Sequence, residues 1–95
     1  MIRSFRSRET AFIWAGVRSR RLPPDIQAVA LRKLRMLNNA RVLEDMRVPP
    51  GNRLEALQGP RKGQWSIRIN QQWRICFRWT DGGVDDVEIV DYHDE

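Results

Sequence analysis

The sequence has one cysteine (Cys76), one histidine (His93) and one tyrosine (Tyr92). A lone cysteine excludes an internal disulfide and a thiolate metal cluster, and an intracellular, cytoplasmic location is the default expectation. No apolar run approaches the roughly 20 residues needed to cross a bilayer, so no membrane partner is expected. The opening stretch, MIRSFRSRETAF, lacks the apolar centre of a signal peptide. Internal repeats, linkers and low-complexity segments are missing too. Lysine and arginine are absent from Trp79 onward. All 17 Lys and Arg lie at or before Arg78, against five acids there, a net of +12. The rest of the chain holds the other seven acids, a net of −7. So basic a body implies a polyanionic partner, nucleic acid first. The plainer alternative is arginine used as solubilising charge. The acidic end either repels that polyanion or pairs with the basic part.

What is present is enough for one domain, residues 1–95, with one modest core: 41% of the residues are hydrophobic and four are tryptophan. The strongest pattern is GQWSIRINQQWRICFRW, from Gly63 to Trp79. Trp65, Ile67 and Ile69, then Trp73, Ile75, Phe77 and Trp79, alternate with Ser66, Arg68 and Asn70, then Arg74, Cys76 and Arg78. Period two means half-buried antiparallel strands joined at Asn70-Gln71-Gln72. The tryptophans share the buried parity, which makes them core residues before base-stacking platforms. The opposite face is mostly arginine, a surface suited to phosphate. Cys76 on that face has no His neighbour in sequence and reads as a small filler.

The remaining elements follow in order. Ile2 to Phe5 reads as a short strand. Ser7 caps a helix over about Arg8 to Ala15, closed by Gly16, with Ala11, Phe12, Trp14 and Ala15 as its packing face. Pro23-Pro24-Asp25 opens the main helix. Ile26, Val29, Ala30, Leu34 and Leu37 form its stripe, with Arg32, Lys33 and Arg35 off it on a solvated face. Asn38-Asn39 ends it. Val42 to Met46 is a helical turn, Pro49-Pro50-Gly51 a break and Arg53 to Leu57 a strand. A hairpin at Asp81-Gly82-Gly83 leads to a last strand from Val84 to Val90. The class expected is α+β, two main N-terminal helices gathered on one face of an antiparallel sheet.

Asp91, Tyr92 and His93 come as the last strand runs out, beside the strand with Arg74 and Arg78 if the meander pairs in order. Metal-free RNA cleavage needs a base for the ribose 2′-OH, cations for the phosphate and an acid for the leaving 5′-oxygen. Histidine suits either proton transfer, and tyrosine can stack on a base or bond a phosphate. A terminal Asp-Tyr-His is also ordinary polar surface. The late acids do not read as a metal site, because Glu88 and Asp91 have opposite strand parity.

The pieces Gly63-x-Trp65-Ser66-Ile67, Asn70-x-x-Trp73-Arg74-Ile75-x-Phe77 and Asp91-Tyr92-His93 together resemble the HigB branch of the RelE-like toxins, also called plasmid-maintenance killer proteins. The match runs over essentially the whole chain. The resemblance implies a compact RelE-like, microbial-RNase-type fold. It also implies a bacterial toxin of a type II toxin–antitoxin system that cleaves messenger RNA in the decoding site of a translating ribosome. That activity needs no metal or cofactor and leaves a cyclic 2′,3′-phosphate. The implied partners are the ribosome and its message, a cognate helix-turn-helix antitoxin of the HigA kind and, through it, operator DNA. By the same resemblance Arg74 holds the scissile phosphate, and Asp91, Tyr92 and His93 form the catalytic end of the last strand. Arg53, Arg61, Lys62 and Arg68 extend the RNA contact, with Arg78 on the same arginine face. The sequence departs from the pattern at Glu55, where some members carry a histidine, and at Gln58, where some carry a lysine. Glu55 is either a general base or the partner of an arginine ion pair. The competing reading of the whole chain is a non-catalytic basic RNA- or ribosome-binding protein that blocks translation by occupancy. A DNA-binding subunit is more remote, because no helix pair reads as a helix-turn-helix.

Overall fold

The computed structural model describes residues 1–92. Helix α1 spans Arg8–Trp14 and begins where Ser7 Oγ accepts the Thr10 N–H at 3.1 Å. Helix α2, Pro24–Asn39, starts on its proline, whose missing N–H needs no partner there. A 3-10 turn at Leu43–Arg47 follows, as expected for this stretch. The strands are β1 (Glu55–Ala56), β2 (Trp65–Arg68), β3 (Trp73–Thr80) and β4 (Gly83–Asp91). They pair antiparallel in the order β1-β2-β3-β4, so the meander does pair in sequence order. The strand expected over Arg53 to Leu57 shrinks to two residues. Arg53 turns left-handed (φ +47°), and Leu57 leaves the ladder for a loop.

The N-terminal segment runs parallel to β4 on its outer edge, touching it as single bridges at Ile2–Val84 and Phe5–Val87. Arg3 secures it through a bond from Nε to Asp85 Oδ1 of 3.1 Å and a second from Nη2 to Oδ2. Beyond Phe5 the edge passes to α1, where Thr10 Oγ1 accepts the Ile89 N–H at 2.9 Å. That contact reorients α1. Its buried residues are Thr10 and Ile13, while Phe12, expected on the packing face, points outward. A buried polar side chain wins that place because the strand N–H would otherwise be left without a partner.

The helices cover one face of the sheet. Ile13, Ile26, Ala30, Leu34 and Leu37 meet Ile67, Ile75, Phe77, Val84, Val87 and Ile89 in one core. Fully burying a side chain such as Phe77 contributes about 1.5–3 kcal/mol. Trp65, Trp73 and Trp79 pack against this core, as their parity implies. One base joins the buried side: Lys33 is only 7% exposed and its Nζ donates to the Arg68 carbonyl at 2.5 Å. The expected solvated face of α2 therefore excludes Lys33.

Candidate active site

The face of the sheet away from the helices is set by register. Ser66 lies opposite Cys76, Arg68 opposite Arg74, Arg74 opposite Val90 and Cys76 opposite Glu88. The loop after β1 folds back over it through a chain of tight bonds. Leu57 N donates to Gln64 O (2.9 Å), Gln64 N to Arg61 O (3.0 Å) and Lys62 N to Gly59 O (3.0 Å). Gly63 sits at φ +95°, a backbone conformation that favours glycine, and a Cβ there would stand 3.1 Å from Arg78 Nη1, the movable end of a part-exposed side chain. Between loop and sheet lies a cleft of about 380 Å³, walled by Leu57, Gln58, Pro60 and Arg61, floored by Cys76 and Val90, with Tyr92 at one end.

This face is not the open arginine surface read from the alternation. Arg74 is 5% exposed. Its Nε donates to Ser66 Oγ at 2.8 Å and its Nη2 to the Arg53 carbonyl at 2.6 Å. The left-handed turn at Arg53 presents that carbonyl. Buried Asn52 supports the turn through Nδ2 bonds to Met46 O (3.1 Å) and Val48 O (3.3 Å). Among the described residues no hydrogen bond uses Arg74 Nη1. The guanidinium is thus held from one side and keeps donors for a ligand. The Tyr92 ring lies over it, with Arg74 Cζ 5.1 Å from the ring centroid, a cation–π distance. Tyr92 N donates to Gln72 O at 2.6 Å and so continues the strand end.

Glu55 faces the same guanidinium, its Oε2 3.9 Å from Arg74 Nη2 with about half its side chain exposed. Asp91 goes elsewhere. It stands in register with Trp73, on the helix side of the sheet, and its Oδ2 accepts from Gln72 Nε2 at 2.8 Å. The structure thus brings Arg74, Tyr92 and Glu55 together and separates Asp91 from them. His93 lies outside the described residues. Of the expected RNA contacts, Arg53 and Lys62 are exposed and Arg68 is half-buried. Arg61 bonds Glu88 Oε1 from both terminal nitrogens at 3.3 Å, and Gln64 Oε1 at 3.2 Å. Arg78 pairs with Asp86 at 3.3 Å. A bulge between the Cys76 and Arg78 registers brings that pair about, with Asp86 at φ +54°, a conformation Asp tolerates better than most residues. The acidic end of the chain therefore pairs with the basic body through Asp85, Asp86 and Glu88.

Sequence reasoning passed over four of these groups. Ser66 and Gln64 are buried polar residues whose partners come from distant positions. Glu88 shows its role only once the loop is folded over β4. Lys33 did carry a signal, since it falls at helical spacing between Ala30 and Leu37. Burial first, then the cations Arg32, Arg68 and Arg74, hold its amine below the usual lysine range. Among the described residues no three His, Cys, Asp or Glu side chains gather as a metal-binding group, and no helix is long and apolar enough to cross a membrane.

Comparison with known proteins bears on this cleft. Residues 4–93 match the model of the family described as RelE-like toxin of type II toxin-antitoxin system HigB. Toxin HigB-1 of Vibrio cholerae serotype O1 is 48% identical over 65 residues, 68% of each chain. An uncharacterised protein of Haemophilus influenzae is 31% identical over 67 residues, 70% of this chain and 66% of its own. A protein named Endoribonuclease HigB, of Proteus vulgaris, is 39% identical over 41 residues, 43% of this chain and 45% of its own. With two helices on one face of a four-stranded antiparallel sheet and the family matched from residue 4 to residue 93, the chain belongs to the HigB family of RelE-like toxins of type II toxin–antitoxin systems, a membership that implies an antitoxin partner.

Proposed function

We propose that the protein is an endoribonuclease that cleaves messenger RNA on the translating ribosome without a metal or cofactor, with Arg74 and Tyr92, beside the cleft that Tyr92 lines, as its active site. The observation that carries this reading is the buried, pre-oriented Arg74, whose guanidinium lies beneath an exposed tyrosine ring and whose Nη1 makes no hydrogen bond among the described residues. A guanidinium already fixed by Ser66 and Arg53 meets a phosphate without first ordering itself. The partial match to a relative named as an endoribonuclease points the same way.

In the proposed reaction the ribose 2′-oxygen attacks the neighbouring phosphorus and a base takes its proton. The P–O5′ bond breaks, an acid protonates the leaving 5′-oxygen, and the upstream fragment ends in a cyclic 2′,3′-phosphate. Arg74 stabilises the negative charge gathered on phosphorus-bound oxygens. Glu55, the cross-strand neighbour of Ser66 and 3.9 Å from Arg74 Nη2, takes the 2′-proton. Tyr92 holds the nucleotide over Arg74, and His93, its neighbour in sequence, suits the proton to the leaving group. Asp91 acts through Gln72, fixing the strand end that carries Tyr92. Exposed Arg53 and Lys62, with Arg68, supply backbone contacts to messenger or ribosomal RNA. The toxin works in the bacterial cytoplasm, and operator DNA is reached only through the helix-turn-helix antitoxin.

The exposed bases Arg18, Arg20, Arg21, Arg32 and Arg35 favour a second reading, inhibition by occupancy of ribosomal RNA. End chemistry separates the two. Wild-type protein on translating ribosomes should yield fragments with cyclic 2′,3′-phosphate ends, and Arg74→Ala should lower their rate of appearance by about 10²–10³-fold. Undiminished cleavage by Arg74→Ala would remove the cleft from the chemistry. Arrested translation with intact messages would leave occupancy as the function.

A further inference from the structure

Beside the Arg74–Tyr92 site, the cleft that Tyr92 lines is largely neutral. Arg61, counted among the RNA-binding cations on sequence grounds, has its charge offset by Glu88 and its fork fixed by Gln64, itself 2% exposed. The walls beside it are apolar: Leu57 and Pro60 on the loop, Val90 on the sheet. The Gln58 carboxamide lines the same space, and no hydrogen bond uses it among the described residues. Along β4, Val90 stands opposite Arg74 and Glu88 opposite Cys76. The Arg61–Glu88 pair therefore stands about 7 Å along β4 from the Arg74 register, two strand residues at about 3.3 Å each, and Val90 carries the apolar floor from one to the other.

A phosphate gains little at the Arg61 end, where a carboxylate already occupies the guanidinium. A flat, neutral heterocycle with a polar edge gains apolar contact from Leu57, Pro60 and Val90, and hydrogen bonds from an amide that both donates and accepts. At about 380 Å³ the cleft lies within the range of small-ligand sites. The loop's successive backbone bonds hold Gln58 in place before any ligand arrives. We infer that this cleft is a nucleobase pocket for the nucleotide beside the cleaved phosphate, and that Gln58 is its specificity-determining residue. The inference rests on the nuclease reading and adds to it a way of choosing where the message is cut.

The test maps cut sites on the same set of translated messages for the wild type, Gln58→Leu, Gln58→Glu and Arg74→Ala. Gln58 is exposed, so its variants should melt with the wild type, which is checked first. Gln58→Leu removes the edge contact. Gln58→Glu keeps the shape and discards the donors. Relative cutting among the four bases next to the cleaved bond should shift by about tenfold in both variants, and in different directions, whatever happens to the overall rate. Unchanged base frequencies in both variants would overturn the pocket while leaving the nuclease standing. Complete loss of cutting in a folded Gln58→Leu would also overturn it, by making Gln58 part of the chemistry instead of the choice of base. If the wild type makes no cuts that Arg74→Ala lacks, the nuclease reading falls and the pocket with it.

Discussion

At the scale of single residues, the fork of Arg74 decides more than its charge. Ser66 Oγ takes Nε, the Arg53 carbonyl takes Nη2, and Nη1, unbonded among the described residues, is the donor that the proposed reaction gives to the phosphate. Lysine supplies the charge with a single point of attachment and cannot keep one side bound while the other reaches out. Arg74→Lys should therefore lose cleavage almost as fully as Arg74→Ala, about 10²–10³-fold, in a single-turnover assay with the fold intact by circular dichroism. Activity within tenfold of wild type would mean that charge alone suffices. Lys33 makes a different prediction. Its folded-state pKa lies below the unfolded value because burial and neighbouring arginines disfavour its proton. The unfolded chain thus binds more protons over that interval, and stability rises with pH from the folded pKa up to 10.5, the unfolded value. Urea midpoints should climb over the alkaline range in the wild type, and the climb should vanish in Lys33→Met. A parallel climb in both would assign it to another group.

At the scale of elements, the period-two strands, the capped helices and the α+β layering were all legible, because local sequence carries alternation, caps and prolines. Two misplaced faces show where that legibility ends. The apolar pattern of α1 puts Phe12 inside and gives Thr10 no role, yet the N–H of Ile89 in β4 needs an acceptor and the Thr10 hydroxyl supplies it. Lys33 was placed in solvent although its spacing is that of the buried stripe, because no local pattern announces a carbonyl on β2 waiting for an amine. Both depend on partners dozens of residues away. The same holds for the site. Arg74, Tyr92 and Glu55 were named from the chain, but the burial of Arg74 and the pairing of Arg61 with Glu88 exist only once the loop covers the sheet. Thr10→Val keeps the volume and deletes the acceptor, so it should destabilise the protein by about 1–3 kcal/mol in denaturant unfolding. A change below about 0.5 kcal/mol would mean that the edge of β4 finds another acceptor.

At the scale of the whole molecule, the +12 and −7 halves of the sequence fold against each other instead of acting apart. Asp85, Asp86 and Glu88 meet Arg3, Arg78 and Arg61, so the sheet edge and the far end of the cleft are partly neutralised. Among the described residues, the positive charge without an ion-pair partner lies on exposed bases such as Arg18, Arg20, Arg21, Arg32 and Arg35, while Arg74 has only the 3.9 Å contact with Glu55. Glu88→Gln should release Arg61 to compete for phosphate: RNA binding should tighten at low salt, and its salt dependence should steepen by about one counterion. An unchanged slope would show that Arg61 stays masked by its other contacts. The most direct test of the account is to map messenger 5′-ends in bacteria after a brief pulse of the protein, beside Arg74→Lys and beside a reporter message whose start codon is removed. The account predicts new ends inside translated reading frames, none on the untranslated reporter, and their loss in Arg74→Lys. New ends that persist in Arg74→Lys, or growth arrest without any new ends, would contradict it.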